Sequence, residues 1–161
     1  GTNPYLGYDD IDQTPFMFNG ETDDRLPPNE KVIGIKESGF VKAYPYSITT
    51  KKRVINDELN GRYFVIFHSK GTVSALDSKF IMDSKDVGST GVFIAVLDGK
   101  KLTFEYSGGK FMDIETSSIW DITGKAVMGT LRGKQLKKIN SGDYFAFAWF
   151  AFNPDSKVYK E

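Results

Sequence analysis

Short runs of β-branched and aromatic residues, separated by turn-forming residues, recur along most of the chain. Val32–Ile35 and Phe40–Tyr44 lie on either side of a glycine-containing turn, and this arrangement predicts a β-hairpin. Arg53–Asp57 is a further short run of the same kind. Arg62–Phe67 is apolar at consecutive positions, which indicates a central strand with both faces buried. The pattern in this part of the chain therefore favours strands.

The middle of the chain predicts an antiparallel meander. Val92–Leu97 and Lys100–Tyr106 are joined by Asp98-Gly99, a dipeptide that strongly indicates a tight hairpin turn. Two shorter runs, Phe111–Ile114 and Ile119–Ile122, follow after further turns. Together these segments predict three or four consecutive antiparallel strands.

One aromatic run near the C-terminal end fits two structures. Tyr144–Phe152 alternates Phe with Ala, which suits a strand, but its alanines and a preceding Ser141 or Asp143 as N-cap favour a helix. Such a helix is apolar on all sides, so it must be buried or contact a partner, and an exposed patch would indicate an interface. A second short helix is expected near Ser74–Asp77.

The chain of 161 residues is long enough for one domain. Residues 1–30 are rich in turn residues but also carry aromatic side chains, so we expect an irregular arm that packs on the domain. Residues 31–161 are expected to form a single β-rich domain. The predicted fold class is β-rich α+β, with an antiparallel meander or barrel-like sheet and one or two short helices.

Composition excludes several classes of chemistry. The 21 Lys and Arg residues balance 21 Asp and Glu residues, so the chain lacks the excess of cations typical of nucleic-acid-binding proteins. Cysteine is absent, which excludes disulfides, thiolate catalysis and cysteine-ligated zinc or iron–sulfur clusters. No apolar run reaches the length of a transmembrane segment, and no glycine-rich nucleotide-binding loop is present.

Several segments resemble a known family. Asp113–Gly129 follows the pattern D-x-E-T-x-S-x-W-x-x-x-G-x-A-x-x-G of a bacterial and archaeal family catalogued as domain of unknown function 3179. Ala43-Tyr44-Pro45, Val54–Asp57 and Gly61 are similar to its A-Y-P … I-V-N-D … G stretch, and Asn153–Ser156 is similar to its closing H-P-D-T. The resemblance extends over most of the chain.

The family has no established activity, so the resemblance implies relatives and not a mechanism. Many members carry a C-P-L-C-G motif after the central strand, where this chain has Phe67–Gly71 without cysteine. Any thiol, haem or soft-metal role of that motif is therefore lost or altered here, and His68 alone remains. Relatives are often exported or lipid-anchored, so the resemblance implies an extracytoplasmic or secreted protein.

The leading functional hypothesis is a non-enzymatic extracytoplasmic module that binds a protein partner or a small ligand. Its predicted ligand-binding residues are Tyr44, Asn56, Asp57, His68 and Trp120. In such a pocket aromatic faces supply contact area and a few polar groups orient the ligand. The sequence identifies no cofactor.

Two alternatives remain open. The first is a metal-binding or hydrolytic enzyme centred on His68, the single histidine, with Asp57 orienting the imidazole or sharing a metal ion. It requires a carboxylate within hydrogen-bonding reach of His68 and an open cleft. Both residues also have structural interpretations, since Asn56-Asp57 suits turn chemistry and a lone histidine often makes only a structural hydrogen bond. The second alternative is a structural subunit of an extracellular assembly, joined through the arm or an edge strand.

Overall fold

A computed structural model of the chain describes residues 25–70 and 88–161. In chain order its elements are β1 (Lys31–Glu37), β2 (Phe40–Pro45), α1 (Tyr46–Lys52), β3 (Val54–Leu59), β4 (Arg62–Ser69), β5 (Ser89–Ile94), β6 (Val96–Leu97), β7 (Lys100–Lys101), β8 (Phe104–Ser107), β9 (Lys110–Asp113), β10 (Ile119–Trp120), β11 (Ala126–Met128), β12 (Ser141–Phe145), α2 (Ala146–Phe152) and β13 (Lys157–Val158). These elements confirm the β-rich class with two short helices. Most of the expected arm and the helix expected at Ser74–Asp77 lie outside the described residues.

Three open sheets and a two-stranded ribbon make up the described part of the chain. The first sheet has the strand order β12-β1-β2-β13, the second β3-β4-β5 and the third β11-β10-β9-β8, while β6 and β7 form the ribbon. Neighbouring strands are antiparallel, except that β13 pairs with β2 in parallel. The third sheet confirms the later part of the predicted meander in β8, β9 and β10, whereas Val92–Leu97 divides between the second sheet and the ribbon, and the fourth strand is β11, which was not predicted. None of the described sheets closes into a barrel.

The alternation of side chains along the strands stacks the sheets in layers. On β4, Phe64 and Ile66 belong to an apolar cluster shared with the first sheet, whereas Val65 and Phe67 belong to one shared with the third. β4 is therefore the buried central strand that its apolar run predicts. On the outer face of the first sheet, α2 packs through buried residues that include Trp149. The order of the layers is α2, first sheet, second sheet, third sheet.

The aromatic run Tyr144–Phe152 divides between a strand and a helix. Its first two residues belong to β12, which pairs with β1 throughout. The helix begins only at Ala146 and carries no side-chain cap, so the predicted capping by Ser141 or Asp143 is wrong. Pairing with β1 extends the strand past the residues that resemble a cap, because a ladder of backbone hydrogen bonds outweighs one capping bond.

The first N–H groups of α2 are satisfied by backbone carbonyls from a distant part of the chain. The Ala146 N–H donates to the Glu30 carbonyl at 2.8 Å, and the Phe147 N–H donates to the Pro28 carbonyl at 3.2 Å. These bonds replace the usual side-chain cap of a helix start. Because the acceptors lie in a distant segment, the residues next to α2 in the sequence do not predict this cap.

The sequence pattern gives no indication of α1. This helix follows directly on Pro45, has no side-chain cap and has no acidic residue in its first turn. Its β-branched residues Ile48, Thr49 and Thr50 are only moderate helix formers. Thr49 is buried, so packing against the sheets and not intrinsic propensity holds α1 together.

Candidate functional site

β3 carries two adjacent polar side chains that point to opposite faces of the second sheet. Asn56 pairs with the backbone of the third sheet: its Nδ2 donates to the Phe104 carbonyl at 2.8 Å, and its Oδ1 accepts from the Phe104 N–H at 2.9 Å. Asp57 faces the first sheet, where its Oδ2 accepts from Lys42 Nζ at 2.8 Å and from the Tyr44 hydroxyl at 2.7 Å. Both residues lie within the strand, and together they connect three sheets.

Burial and hydrogen bonding set the charge of this group. Burial, together with donation to Asp57, raises the pKa of the fully buried Tyr44 hydroxyl above its ordinary value. Burial would also raise the pKa of the Asp57 carboxyl, but hydrogen bonds from Lys42, Tyr44 and the Glu58 N–H outweigh it and hold that pKa below its usual range. Asp57 is therefore an ionised structural acceptor at neutral pH, and it is poorly suited to take up a proton as a general base.

Replacing Asp57 by Asn should lower the free energy of unfolding by about 1–2 kcal/mol at pH 7, because the neutral amide loses the ion pair with Lys42 and has one acceptor oxygen instead of two. The pKa of Asp57 is depressed in the folded state, so its stabilisation is complete above the unfolded-state pKa. It is lost as the pH falls through the folded-state pKa. Urea denaturation at a series of pH values should show a wild-type advantage at neutral pH that disappears in acid.

Glu58→Gln is the matched control, since Glu58 is an exposed carboxylate on the same strand. We expect this variant to follow the wild type closely at every pH. A penalty for Asp57→Asn that persists unchanged into acid would contradict the ionised hydrogen-bonded state of Asp57.

His68 lies near the end of β4 and is buried, with 1% of its surface exposed. Its Nδ1 is 2.8 Å from Thr49 Oγ1 of α1, and its ring meets the edge of the Tyr46 ring with centroids 4.8 Å apart. The carboxylate of Asp143 accepts a hydrogen bond from the Tyr46 hydroxyl at 2.9 Å. His68 is therefore closed off from solvent between β4 and α1, whereas the hydrolytic hypothesis requires an open cleft.

His68 and Asp57 lie far apart on the second sheet. Asp57 is paired with Phe64 across β3 and β4. His68 lies further along β4, about 13 Å from that pair at a rise of about 3.3 Å per residue. One metal ion cannot bind both side chains in this arrangement, because metal–ligand distances are about 2.0–2.6 Å. Among residues 25–70 and 88–161, no group of three or more His, Asp or Glu side chains could hold a metal ion.

Trp120 belongs to a network built on the completely buried carboxylate of Asp113. Asp113 Oδ1 accepts from the Trp120 indole N–H at 2.9 Å and from the Ser118 N–H at 3.1 Å. Its Oδ2 accepts from the Thr116 N–H at 2.6 Å and from the Thr116 hydroxyl at 2.7 Å. All four residues come from the motif at Asp113–Gly129, and their polar groups bind one another.

The remainder of that motif also stabilises the third sheet. Glu115 Oε1 accepts from the Thr103 N–H at 2.7 Å. Gly129 has φ = +97°, and a Cβ at this position would lie 2.8 Å from Ser118 Cα, so both conformation and space require glycine. The structure therefore brings the predicted residues Tyr44 and Asp57 together, but it places Asn56, His68 and Trp120 in separate contacts. Ligand binding by these five residues stays a prediction.

A concave surface that the sequence did not indicate lies between α2 and the first sheet. This α2 groove has a cavity volume of about 320 Å³. Its lining includes Gly34, Lys36, Tyr144, Trp149, Phe152 and Asn153. A second depression, of about 270 Å³, lies beside Asn56 and Asp57, with Lys101 at its edge.

Gly34 forms part of the floor of the α2 groove. Gly34 of β1 is paired with Gly142 of β12, which leaves a strip of sheet without side chains. The Trp149 ring lies on this strip, since a Cβ at position 34 would be 2.5 Å from Trp149 Cε3. The Trp149 indole N–H donates to Ser156 Oγ at 2.7 Å, and the Tyr144 and Trp149 ring centroids are 5.0 Å apart. The groove is therefore walled by aromatic rings, one of which is held by a hydrogen bond.

Four aromatic side chains of β12 and α2 are exposed and are called here the α2 surface; two of them line the groove, and the other two, Phe145 and Phe147, stack on each other outside its lining. They are Tyr144 (44%), Phe145 (46%), Phe147 (54%) and Phe152 (82%). The helix buries Trp149 and Phe150 against the first sheet, so its other side presents aromatic rings to solvent. The segment Tyr144–Phe152 is thus buried on one side and exposed on the other.

A family model described as a protein of unknown function (DUF3179) matches residues 1–156. The chain belongs to this family. The match confirms the resemblance carried by Asp113–Gly129, and the absence of cysteine distinguishes the chain from members with the C-P-L-C-G motif. No curated protein and no solved structure matches the chain. Among the described residues, no helix is long and apolar enough to cross a membrane.

The family motif and the α2 groove lie on different layers of the protein. The motif stabilises the third sheet, whereas the groove opens on the first sheet. One sequence signal for the groove exists: Gly34 interrupts the β-branched run of β1, and a glycine inside a strand often marks a close approach of another group. Nothing in the sequence around Lys36 indicates that this lysine lines the groove.

Proposed function

We propose that the protein is a non-enzymatic extracytoplasmic interaction module that binds a protein partner through the α2 surface. The observation that carries the proposal is the exposure of four aromatic rings on β12 and α2, a segment that also borders the α2 groove. Aromatic residues are enriched at the energetically dominant positions of protein interfaces. The extracytoplasmic setting is supported by the resemblance to exported relatives.

The breadth of the α2 surface favours a protein over a small ligand. A molecule that fills the groove contacts Tyr144 and Phe152 in its lining. It would leave Phe145 and Phe147 exposed. The rings of these two residues stack on each other, with centroids 6.1 Å apart. Only a partner larger than the groove can contact the Phe145–Phe147 pair as well. The polar atoms of Asp57 and Trp120, by contrast, are already engaged within the fold.

The structural-subunit hypothesis has one observation in its favour. Among the strands that the structure describes, β12 is at the edge of the first sheet and is paired on one side with β1. An edge strand offers backbone groups to a strand from a neighbouring chain. Under that hypothesis the aromatic residues of β12 would contact a second copy of this chain.

The proposal is tested by a photo-crosslinking amino acid placed at position 152 in the producing cells. We expect one discrete adduct with a different protein. With that protein purified, Phe147→Ser combined with Phe152→Ser should weaken binding by at least about tenfold, because two exposed rings lose their contact area. The melting temperature should change little, since both rings are exposed.

Position 128 is the matched control, since Met128 is 56% exposed on the third sheet. The same adduct from position 128, or unchanged affinity in the double variant, would refute the proposal. An adduct between two copies of the chain would instead support the structural-subunit hypothesis.

A further inference from the structure

Two lysines of β1 lie near different parts of the α2 surface, on opposite faces of the first sheet. Lys36 lines the groove, and Lys31 Nζ lies 5.7 Å from the centroid of the Phe145 ring. Within the described part of the chain, neither lysine forms a salt bridge. Lys36 is also the single charged residue in the groove lining. The groove therefore combines aromatic walls with one cation that has no anionic partner among the described residues.

The carboxylates nearest in sequence to these lysines are bound elsewhere. Glu30 accepts from the Ser47 N–H at 2.8 Å, and Glu37 forms a salt bridge with Arg62. Asp143 of β12 accepts hydrogen bonds from the hydroxyls of Tyr46 and Thr90 on the opposite face of the first sheet. The positive charge at the α2 surface is therefore not neutralised by these groups.

We propose that the partner presents an acidic segment, in which a large apolar side chain enters the α2 groove and a neighbouring carboxylate binds Lys36. This inference rests on the proposed function and specifies the chemistry of the partner. The volume of about 320 Å³ is at the lower end of ligand pockets and accommodates one aromatic side chain with its flanking atoms. The carboxylate supplies the counter-charge that Lys36 lacks within the described chain.

Charge complementarity of this kind contributes mainly to specificity and to the rate of association. An acidic segment is attracted to Lys36, whereas a basic segment with the same apolar side chain is repelled. The preference should weaken as ionic strength rises, because exposed charges are screened over about 10 Å at 0.1 M salt. The apolar contact with Trp149 and Phe152 should persist.

The test uses three synthetic peptides that differ only in charge, each with one phenylalanine flanked by glutamate, glutamine or lysine. Binding to the full chain is followed by NMR through the indole N–H signal of Trp149, which lies in the groove. We expect the glutamate peptide to bind at least about tenfold more tightly than the lysine peptide at low salt. Lys36→Gln should remove most of this preference.

Lys110→Gln is the matched control, because Lys110 is an exposed lysine on the third sheet. It should leave the preference intact. Equal binding of the three peptides, a preference that survives in Lys36→Gln, or no response of Trp149 to the glutamate peptide would each overturn the inference. The proposed function is decided separately by the adduct at position 152, so the two can fail independently.

Discussion

Replacing Asp113 by Ala should lower the free energy of unfolding by about 3–5 kcal/mol, among the largest effects expected from one substitution in this chain. The carboxylate is completely buried and accepts hydrogen bonds from Trp120, Ser118 and Thr116. Its removal leaves several buried donors without an acceptor, and each unsatisfied group costs about 1–3 kcal/mol. Urea denaturation followed by circular dichroism measures the loss.

Two further variants show whether burial is responsible. Asp113→Asn keeps the shape but replaces one acceptor oxygen with a donor, so we expect an intermediate loss. Asp121→Ala removes a carboxylate that accepts from Thr123 and Lys125 in an exposed turn, where water replaces the lost bonds, and should cost about 1 kcal/mol. A loss for Asp113→Ala no larger than that for Asp121→Ala would show that the buried network is dispensable.

A large loss of stability in Asp113→Ala would indicate that the Asp113–Gly129 motif stabilises the fold and is not itself a binding site. If the carboxylate is a structural acceptor, the motif by which the chain resembles its family is a folding element. Its buried polar side chains are then engaged with one another. The α2 surface, which lies on another layer, becomes the better place to search for binding.

The parts of the fold that the sequence predicts well are those set by neighbours along the chain. Asp98-Gly99 adopts positive φ at both residues, +52° and +79°, as the tight turn of a hairpin requires. The hairpin of β1 and β2 and the meander of β8 to β10 likewise follow from local turns and alternation. Local signals suffice where strands adjacent in the chain are also adjacent in space.

The parts that escape prediction depend on contacts between distant segments. The cap of α2 comes from residues 28 and 30, and the groove floor forms because β12 pairs with β1 across more than a hundred residues. The candidate residues show the same limit. Asn56 is a polar residue without an obvious local partner in the sequence, yet its amide is satisfied by the backbone of Phe104. A sequence alone does not distinguish such a structural amide from one that binds a ligand.

Replacing Gly34 by Ala should destabilise the protein by about 3 kcal/mol, a large effect for the addition of one methyl group. The new Cβ would lie 2.5 Å from Trp149 Cε3, so the indole must move away from β1. The ring is buried and its N–H is bonded to Ser156, and displacement therefore disturbs both the packing and that hydrogen bond. Thermal and urea denaturation measure the change.

Gly142→Ala is the matched control on the facing strand. Its Cβ would lie 3.0 Å from the Tyr144 ring, which is half-exposed and free to shift, so we expect a loss below about 1 kcal/mol. Combining Gly34→Ala with Trp149→Leu should remove most of the Gly34→Ala penalty, because the smaller side chain leaves room for the methyl group. Strictly additive losses in this double-mutant cycle would contradict the direct contact between Gly34 and Trp149. Coupling of about 1 kcal/mol or more would establish that the floor of the groove is set by the pairing of a strand glycine with the indole above it.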